Sequence, residues 1–336
     1  MSSLPEYKPE QKVFGPIRSI GGRMVGQYKI WQEGFLKYQP NVRFSDSLAS
    51  SESAIAGLYT LASDLGPSGH DAELMDLLPF TEQFGYYPTE ITVASGAFNP
   101  GGSESLGIFV HKDNPITKLT MKELDGIFGS ERTGGLKGIV LSPEFARGPE
   151  ENIRTWGEMG LTGEWKEKPI QTYGYTFTGM KWFFQMKVLN GGQKWNPNYR
   201  EYVGTESSMV DRENPRGRTL TIDQMLADLS KDKYGIAYCP LHYAKNFPQL
   251  KPLAVAAKDG GPYLEPTKEN FQSRVYPLTR SVFIYLNRAP GHPVDPKLKE
   301  FLRYVLSREG QQEVVRYGRF LSLPSEVVQE QLKKLE

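Results

Sequence analysis

A single cysteine, Cys239, stands among 336 residues, which excludes an internal disulfide framework and any cysteine-based metal site. Lying inside the apolar run YGIAYC, it is expected to be a buried and inert thiol. No apolar run approaches the roughly 20 residues that span a bilayer. The formal net charge is only +1, with acidic and basic residues interspersed, so no strong field draws nucleic acid or an anionic membrane. The opening MSSLPEYKPEQ has no charged segment followed by an apolar one, so a signal peptide is expected to be absent from this stretch. Catalytic signatures are missing as well: there is no H-E-x-x-H, no G-x-S-x-G, no phosphate loop and no dinucleotide fingerprint. The four histidines, His70, His111, His242 and His292, are dispersed without metal-ligand spacing. Catalysis therefore has little support, an enzyme is the less favoured reading, no metal site or cofactor is expected, and Glu150 and Glu151 read as solvated charge.

What remains is a chain long enough for two cores, with strands alternating with helices in an α/β pattern. Strands are predicted at Ile17–Ile20, Val42–Ser45, Glu90–Ser95, Leu106–His111, Pro169–Tyr173, Tyr234–Cys239 and Val282–Leu286. Thr120 to Glu123 and Thr221 to Gln224 read as capping boxes before apolar helix faces. Asn196 to Arg218, rich in Pro, Asn, Gly and charge, reads as a long surface segment. Near the end, Leu298, Phe301, Leu302, Val305 and Leu306 recur at helical spacing. A second helix follows, capped by Ser307, with Val314 and Val315 inward and Gly318 at its end, before an apolar FLSLP tail.

That C-terminal order of strand, helix, "LSREGQQ" helix and closing G-x-F-L-x-L-P resembles the phosphate-binding proteins of bacterial ABC importers. The phrases IRSIGGRMVGQYKIWQEGFLKYQPNVRF, SSESAIAGLYTLASDLGPS, SLGIFVHKDNPITKLTMKELDGIFG and KYGIAYCPLHYAKN extend the resemblance from about Ile17 to Pro324. It implies a two-lobed periplasmic-binding-protein fold of type II, each lobe a mixed sheet flanked by helices. Residues 1–112 plus 275–336 would form a discontinuous first lobe and 113–274 the second, with Leu106–His111 and Val282–Leu286 adjacent in one lobe. It further implies a monomer that captures a small polar or anionic solute in an inter-lobe cleft and passes it to a membrane permease. The Ser- and Pro-containing start then suits a tether after a lipid-anchored cysteine, in an extracytoplasmic protein. A ligand-free sensory or scaffold protein of the same fold is the alternative.

The same resemblance marks the candidate ligand residues and their departures. The first loop, Gly21 to Met24, offers Gly22 and places Arg23 where the family has a small hydroxyl residue. A guanidinium there either pairs with an oxyanion or is solvated. The second loop keeps Ser51 and Ser53 around Glu52, a carboxylate that repels an anion unless it points away. The third ends in Ser68, and the family's acid aligns with Gly69, leaving His70 as a substitute or an exposed loop residue. In the second lobe Thr172 takes the place of the family's arginine, and Tyr175, Thr176 and Thr178 replace a cradle of small residues. The core is the alternative place for Tyr173, Tyr175, Phe177 and Trp182. With acid and arginine both displaced, inorganic phosphate is expected to bind weakly or not at all.

Overall fold

The computed structural model describes residues 3–96, 103–175, 179–202 and 221–336. The chain divides into two compact units, one of Met1–Glu104 with Arg280–Glu336 and one of Ser105–Thr279. The crossings thus fall earlier and later in sequence than the predicted 112/113 and 274/275. Strands run in order as β1 Gly15–Ile20, β2 Val42–Ser47, β3 Gly66–Ser68, β4 Thr89–Ser95, β5 Leu106–His111, β6 Lys118–Thr120, β7 Gly135–Lys137, β8 Val140–Ser142, β9 Gln171–Tyr175, β10 Tyr199–Tyr202, β11 Gly235–Pro240, β12 Leu250–Ala256 and β13 Ser281–Leu286. All seven predicted strands are present within two residues of their expected limits.

In the first unit β13 is the middle strand of a sheet ordered β3-β13-β4, antiparallel to both neighbours. β1 and β2 pair in parallel, and Ser19 bridges to Leu65 just ahead of β3. Every residue of β13 is buried, because both faces are covered. Val282, Ile284 and Leu286 face the main core, whereas Phe283 and Tyr285 pack into a smaller cluster with Ile55, Leu58 and Phe80. The main core is closed by helix Val25–Leu36, whose Tyr28, Trp31 and Phe35 are fully buried against helices Pro296–Leu306 and Arg308–Tyr317. Trp31 Nε1 donates to Gly310 O at 2.9 Å, so the large ring leaves no unpaired donor.

The predicted C-terminal helices hold in detail. Leu298, Phe301, Leu302, Val305 and Leu306 are buried, Ser307 Oγ accepts from Gly310 N at 3.2 Å, and Gly318 ends the second helix at φ +71°. Phe320, Leu321 and Leu323 pack inward as expected. Val315 does not: it is 56% exposed, lying beside Val314 off the buried stripe. The N-terminal arm joins the same core through the buried Leu4, Tyr7 and Val13. Tyr7 Oη donates to the buried carboxylate of Glu300 at 2.7 Å, and Arg308 N donates to Pro5 O at 2.7 Å.

The second unit is built on a six-stranded sheet ordered β10-β9-β11-β5-β12-β6, with β7 and β8 forming a separate hairpin. β5 runs antiparallel to β11 and β12, while the β9, β10 and β11 pairings are parallel. Leu106–His111 therefore lies in a different unit from β13, contrary to expectation. Each is a fully buried middle strand that needs its own two neighbours and two covered faces, and each finds them in its own sheet. Thr120 forms the predicted capping box, with Glu123 N donating to Oγ1 at 3.1 Å and Thr120 N donating to Glu123 Oε2 at 2.7 Å. Thr221 is the first residue of helix Thr221–Leu229, so a cap for it lies outside the described residues. The predicted surface segment 196–218 contains β10, and its residues from 203 onward lie outside the described residues.

Candidate functional site

Three loops at one end of the first unit are stitched together by backbone hydrogen bonds. Gly21 N donates to Ser47 O at 3.0 Å, Gly22 N to Pro67 O at 2.9 Å, and Ser50 N to Gly21 O at 3.0 Å. The approach of the first and second loops is so close that a Cβ on Gly22 would stand 2.8 Å from the carbonyl carbon of Ser50. Ser51 Oγ, buried, accepts from Gly69 N at 3.0 Å, which joins the second loop to the third. Its own proton stays available to a ligand. Ser53 Oγ and Ser68 Oγ spend theirs locally, on Ser50 O at 2.7 Å and His70 O at 2.9 Å. Gly22, Ser53 and Ser68 thus frame the junction of the three loops, and Ser51 is the hydroxyl there that only accepts among the described residues.

Gly69 is where the loops are tightest. A Cβ there would overlap that of Arg23 and stand 2.5 Å from Ser103 Oγ and 3.0 Å from Arg23 Cγ. An aspartate, expected from the family pattern, has no room. Arg23 itself is exposed and sits at φ +64°, and Ser103 at φ +60°, two of five described non-glycine residues in the left-handed region. Such a backbone costs of order 1 to 3 kcal/mol and clusters at ligand sites. Ser103 Oγ donates to Gly69 O, fixing the loop from the other side.

Arg280 reaches the same loop from the start of β13. It is 4% exposed, and its Nη2 lies 3.5 Å from Gly69 O. Burial pulls its guanidinium below the ordinary arginine value, opposed by Asp71 and Glu104, while Arg23 adds to the depression. Those influences place a cation pair and two carboxylates around one loop. Asp71 Oδ2 is buried and has no hydrogen-bond partner among the described residues. A buried carboxylate oxygen in that state is an acceptor that lacks its donor.

His70, 7% exposed, is not a solvated loop residue. Its Nδ1 is 2.9 Å from Asp71 O, and its Nε2 lies 3.7 Å from Glu52 Oε1, an ion pair too long for a direct hydrogen bond. Glu52 also accepts from Ser50 Oγ. His70 holds the Glu52 carboxyl down to about 2 against the opposing effect of burial. For His70, burial opposes the charged form, but Glu52, the Asp71 carbonyl and Glu73 outweigh it and the pKa rises. The Glu52 carboxylate thus faces the His70 ring across 3.7 Å.

Sequence candidates also fall in the second unit. Tyr175 is 1% exposed, its ring edge-on to Tyr238 at 5.5 Å, so it belongs to the core. Tyr173 is buried as well, Trp182 is half-buried, and Thr172 is wholly enclosed in β9. Thr176 and Thr178 lie outside the described residues. Asp71, Arg280 and Ser103 were not among the sequence candidates. Arg280 carried one signal: a charge abutting the apolar run SVFIYL has no solvent on either side and needs buried partners.

Comparison with known proteins agrees with this architecture. The family model described as "PBP superfamily domain" matches residues 100–309. A phosphate-binding protein PstS of Pseudomonas aeruginosa is 32% identical over 335 residues, which is 99% of this chain and 91% of that protein. Among solved structures, PstS from Borrelia burgdorferi is similar with a TM-score of 0.57 at 18% identity, covering 94% of this chain and 100% of that one. An ABC-type phosphate transport receptor from Vibrio cholerae gives a TM-score of 0.54 at 15% identity, over 92% and 100%.

Proposed function

Because the chain belongs to the PstS-type phosphate-binding proteins of the PBP superfamily, we propose that its first-unit site captures a phosphate-like oxyanion for an ABC importer. The observation that carries the reading is the buried, unpartnered Oδ2 of Asp71 beside Arg280. A monoprotonated oxyanion fits both: its O–H donates to the carboxylate, and its charged oxygens accept from guanidinium and hydroxyl groups. Arg280, Arg23 and the Ser51 hydroxyl are the donors. Asp71 and Arg280 supply, from other positions, the acid and the cation that Gly69 and Thr172 lack. The expectation of weak phosphate binding rested on those two absences and is replaced here by one of firm binding.

The role is non-covalent and belongs to transport, as for the family. Delivery to a membrane permease and an extracytoplasmic location are parts of the same proposal. Among the described residues no helix is long and apolar enough to cross a membrane. Calorimetric titration at neutral pH tests the reading. Inorganic phosphate is expected to bind with a dissociation constant of about 1 μM or tighter. Sulfate, which has no proton to give Asp71, is expected to bind at least about a hundredfold more weakly. Equal affinity for the two would remove Asp71 from the site, and no heat from either would favour the scaffold alternative.

A further inference from the structure

Resting on that reading, we propose that His70 is a positioning residue whose imidazolium neutralises Glu52 and ties two ligand loops together, so that its deprotonation weakens oxyanion binding. Glu52 sits between Ser51, the hydroxyl presented to ligand, and Ser53 of the frame. Its side chain is 60% exposed, and the cation it faces is His70. The cross-link runs alongside the hydrogen bond from Gly69 N to Ser51 Oγ, so one ion pair and one hydrogen bond hold the third loop to the second. When His70 loses its proton, the hydrogen bond survives but Glu52, left with only the Ser50 hydroxyl, becomes an uncompensated negative charge flanking an anion site. Like charges at such a distance repel, and the loop pair loses one of its two ties.

The surroundings set the direction of this switch. His70 faces Glu52 from the Ser51–Ser53 turn, and Glu73 and Asp76 from the start of helix Leu74–Phe84. Its own loop adds the Asp71 carbonyl, while Arg23 and Arg280 lie across Gly69. Three acidic groups on the near side favour the imidazolium, and burial disfavours it. The net direction is upward from the ordinary histidine value of 6.5, so His70 keeps its proton to higher pH than a free histidine and loses it as pH rises through its folded value.

Phosphate affinity of the wild type, His70→Gln and the His70→Gln/Glu52→Gln double variant, titrated from pH 6 to 8.5, tests the idea. Phosphate changes protonation over this range itself, but that cancels in the ratio of two affinities at one pH. The wild type is expected to bind about fivefold more tightly than His70→Gln at pH 6, a ratio falling toward one by pH 8.5. The double variant should recover most of the loss at pH 6, because no bare carboxylate remains. A ratio independent of pH, or a double variant as weak as His70→Gln, would overturn the proposal. Absence of phosphate binding by the wild type at every pH would instead overturn the underlying oxyanion site. NMR titration of the His70 ring gives a ligand-free check: Glu52→Gln should lower its pKa, and an unchanged value refutes the pairing.

Discussion

Replacing Gly69 by alanine adds one methyl group and no charge, yet it should damage both stability and binding. The new Cβ would overlap Arg23 Cβ and stand 2.5 Å from Ser103 Oγ and 3.0 Å from Arg23 Cγ. Carbon contacts rest near 3.5 to 4.0 Å, so relief needs a shift of about 1 Å. None of the neighbours can yield freely. Gly69 N is held by Ser51 Oγ, Gly69 O accepts from Ser103 Oγ, and Arg23 occupies a left-handed backbone well. Overpacking of this kind costs roughly 1 to 3 kcal/mol, equivalent to a fall in Tm of about 1 to 4 °C for a chain of this size. Displacing Arg23 also forfeits part of a charge-assisted contact, and a loss of about 1.4 kcal/mol is tenfold in phosphate affinity. Gly260→Ala is the control. At φ +70° with nothing within 4 Å of its Cβ, it should cost about 1 kcal/mol of backbone strain and leave phosphate binding unchanged. Calorimetry and thermal melts of both variants read the outcome. A Gly69→Ala protein with wild-type Tm and wild-type phosphate affinity would refute the claim that these loops are packed around Gly69.

Other perturbations reach different parts of the account. Tyr7→Phe removes the hydroxyl that donates to Glu300, a carboxylate 1% exposed, and should lower stability to urea by about 1 to 3 kcal/mol; no change would mean the N-terminal arm is not anchored there. Cys239 is wholly buried and burial pushes its thiol pKa up, so native protein should resist thiol reagents until it unfolds, whereas rapid labelling would contradict its place in β11. Glu52, held at about 2 against 4.5 unfolded, contributes stability that is present above pH 4.5 and lost as pH falls toward 2. His70, raised above 6.5, contributes below pH 6.5 and loses its share as pH rises through its folded value. The stability difference between wild type and Glu52→Gln should therefore be greatest between about pH 4.5 and 6.5, and a difference that is flat with pH would break the pair.

Much of the architecture was legible because it depends on local rules. The buried runs around Ile108 and Ile284, the Thr120 capping box, the Ser307 cap and the left-handed Gly318 all announce themselves within a few residues. Which unit a buried strand joins does not. LGIFVH and SVFIYL look alike in sequence, and only the pairing of β5 with β11 and β12 separates them. The site was half legible for a related reason. Gly22, Arg23, Ser51, Ser53, Ser68 and His70 were marked as candidates because they lie in, or at the start of, the loops that follow the first three strands. Asp71 was passed over because the acid was sought two positions earlier, where Arg23 and Ser103 leave space only for glycine. Arg280 enters from the far end of the chain, at a sequence distance that periodicity and motif spacing do not span. Tyr175 stayed open between ligand and core, since an aromatic beside a ligand loop and an aromatic in a packed core read alike until Tyr238 is placed against it.

A crystal structure of the protein grown with inorganic phosphate tests the central claim most directly. The account predicts tetrahedral density within hydrogen-bonding distance of Asp71 Oδ2, with the Arg23 or Arg280 guanidinium and the Ser51 hydroxyl as donors, while Glu52 stays paired with His70. Density bound elsewhere on the chain, or a first-unit site left empty at saturating phosphate, would contradict it.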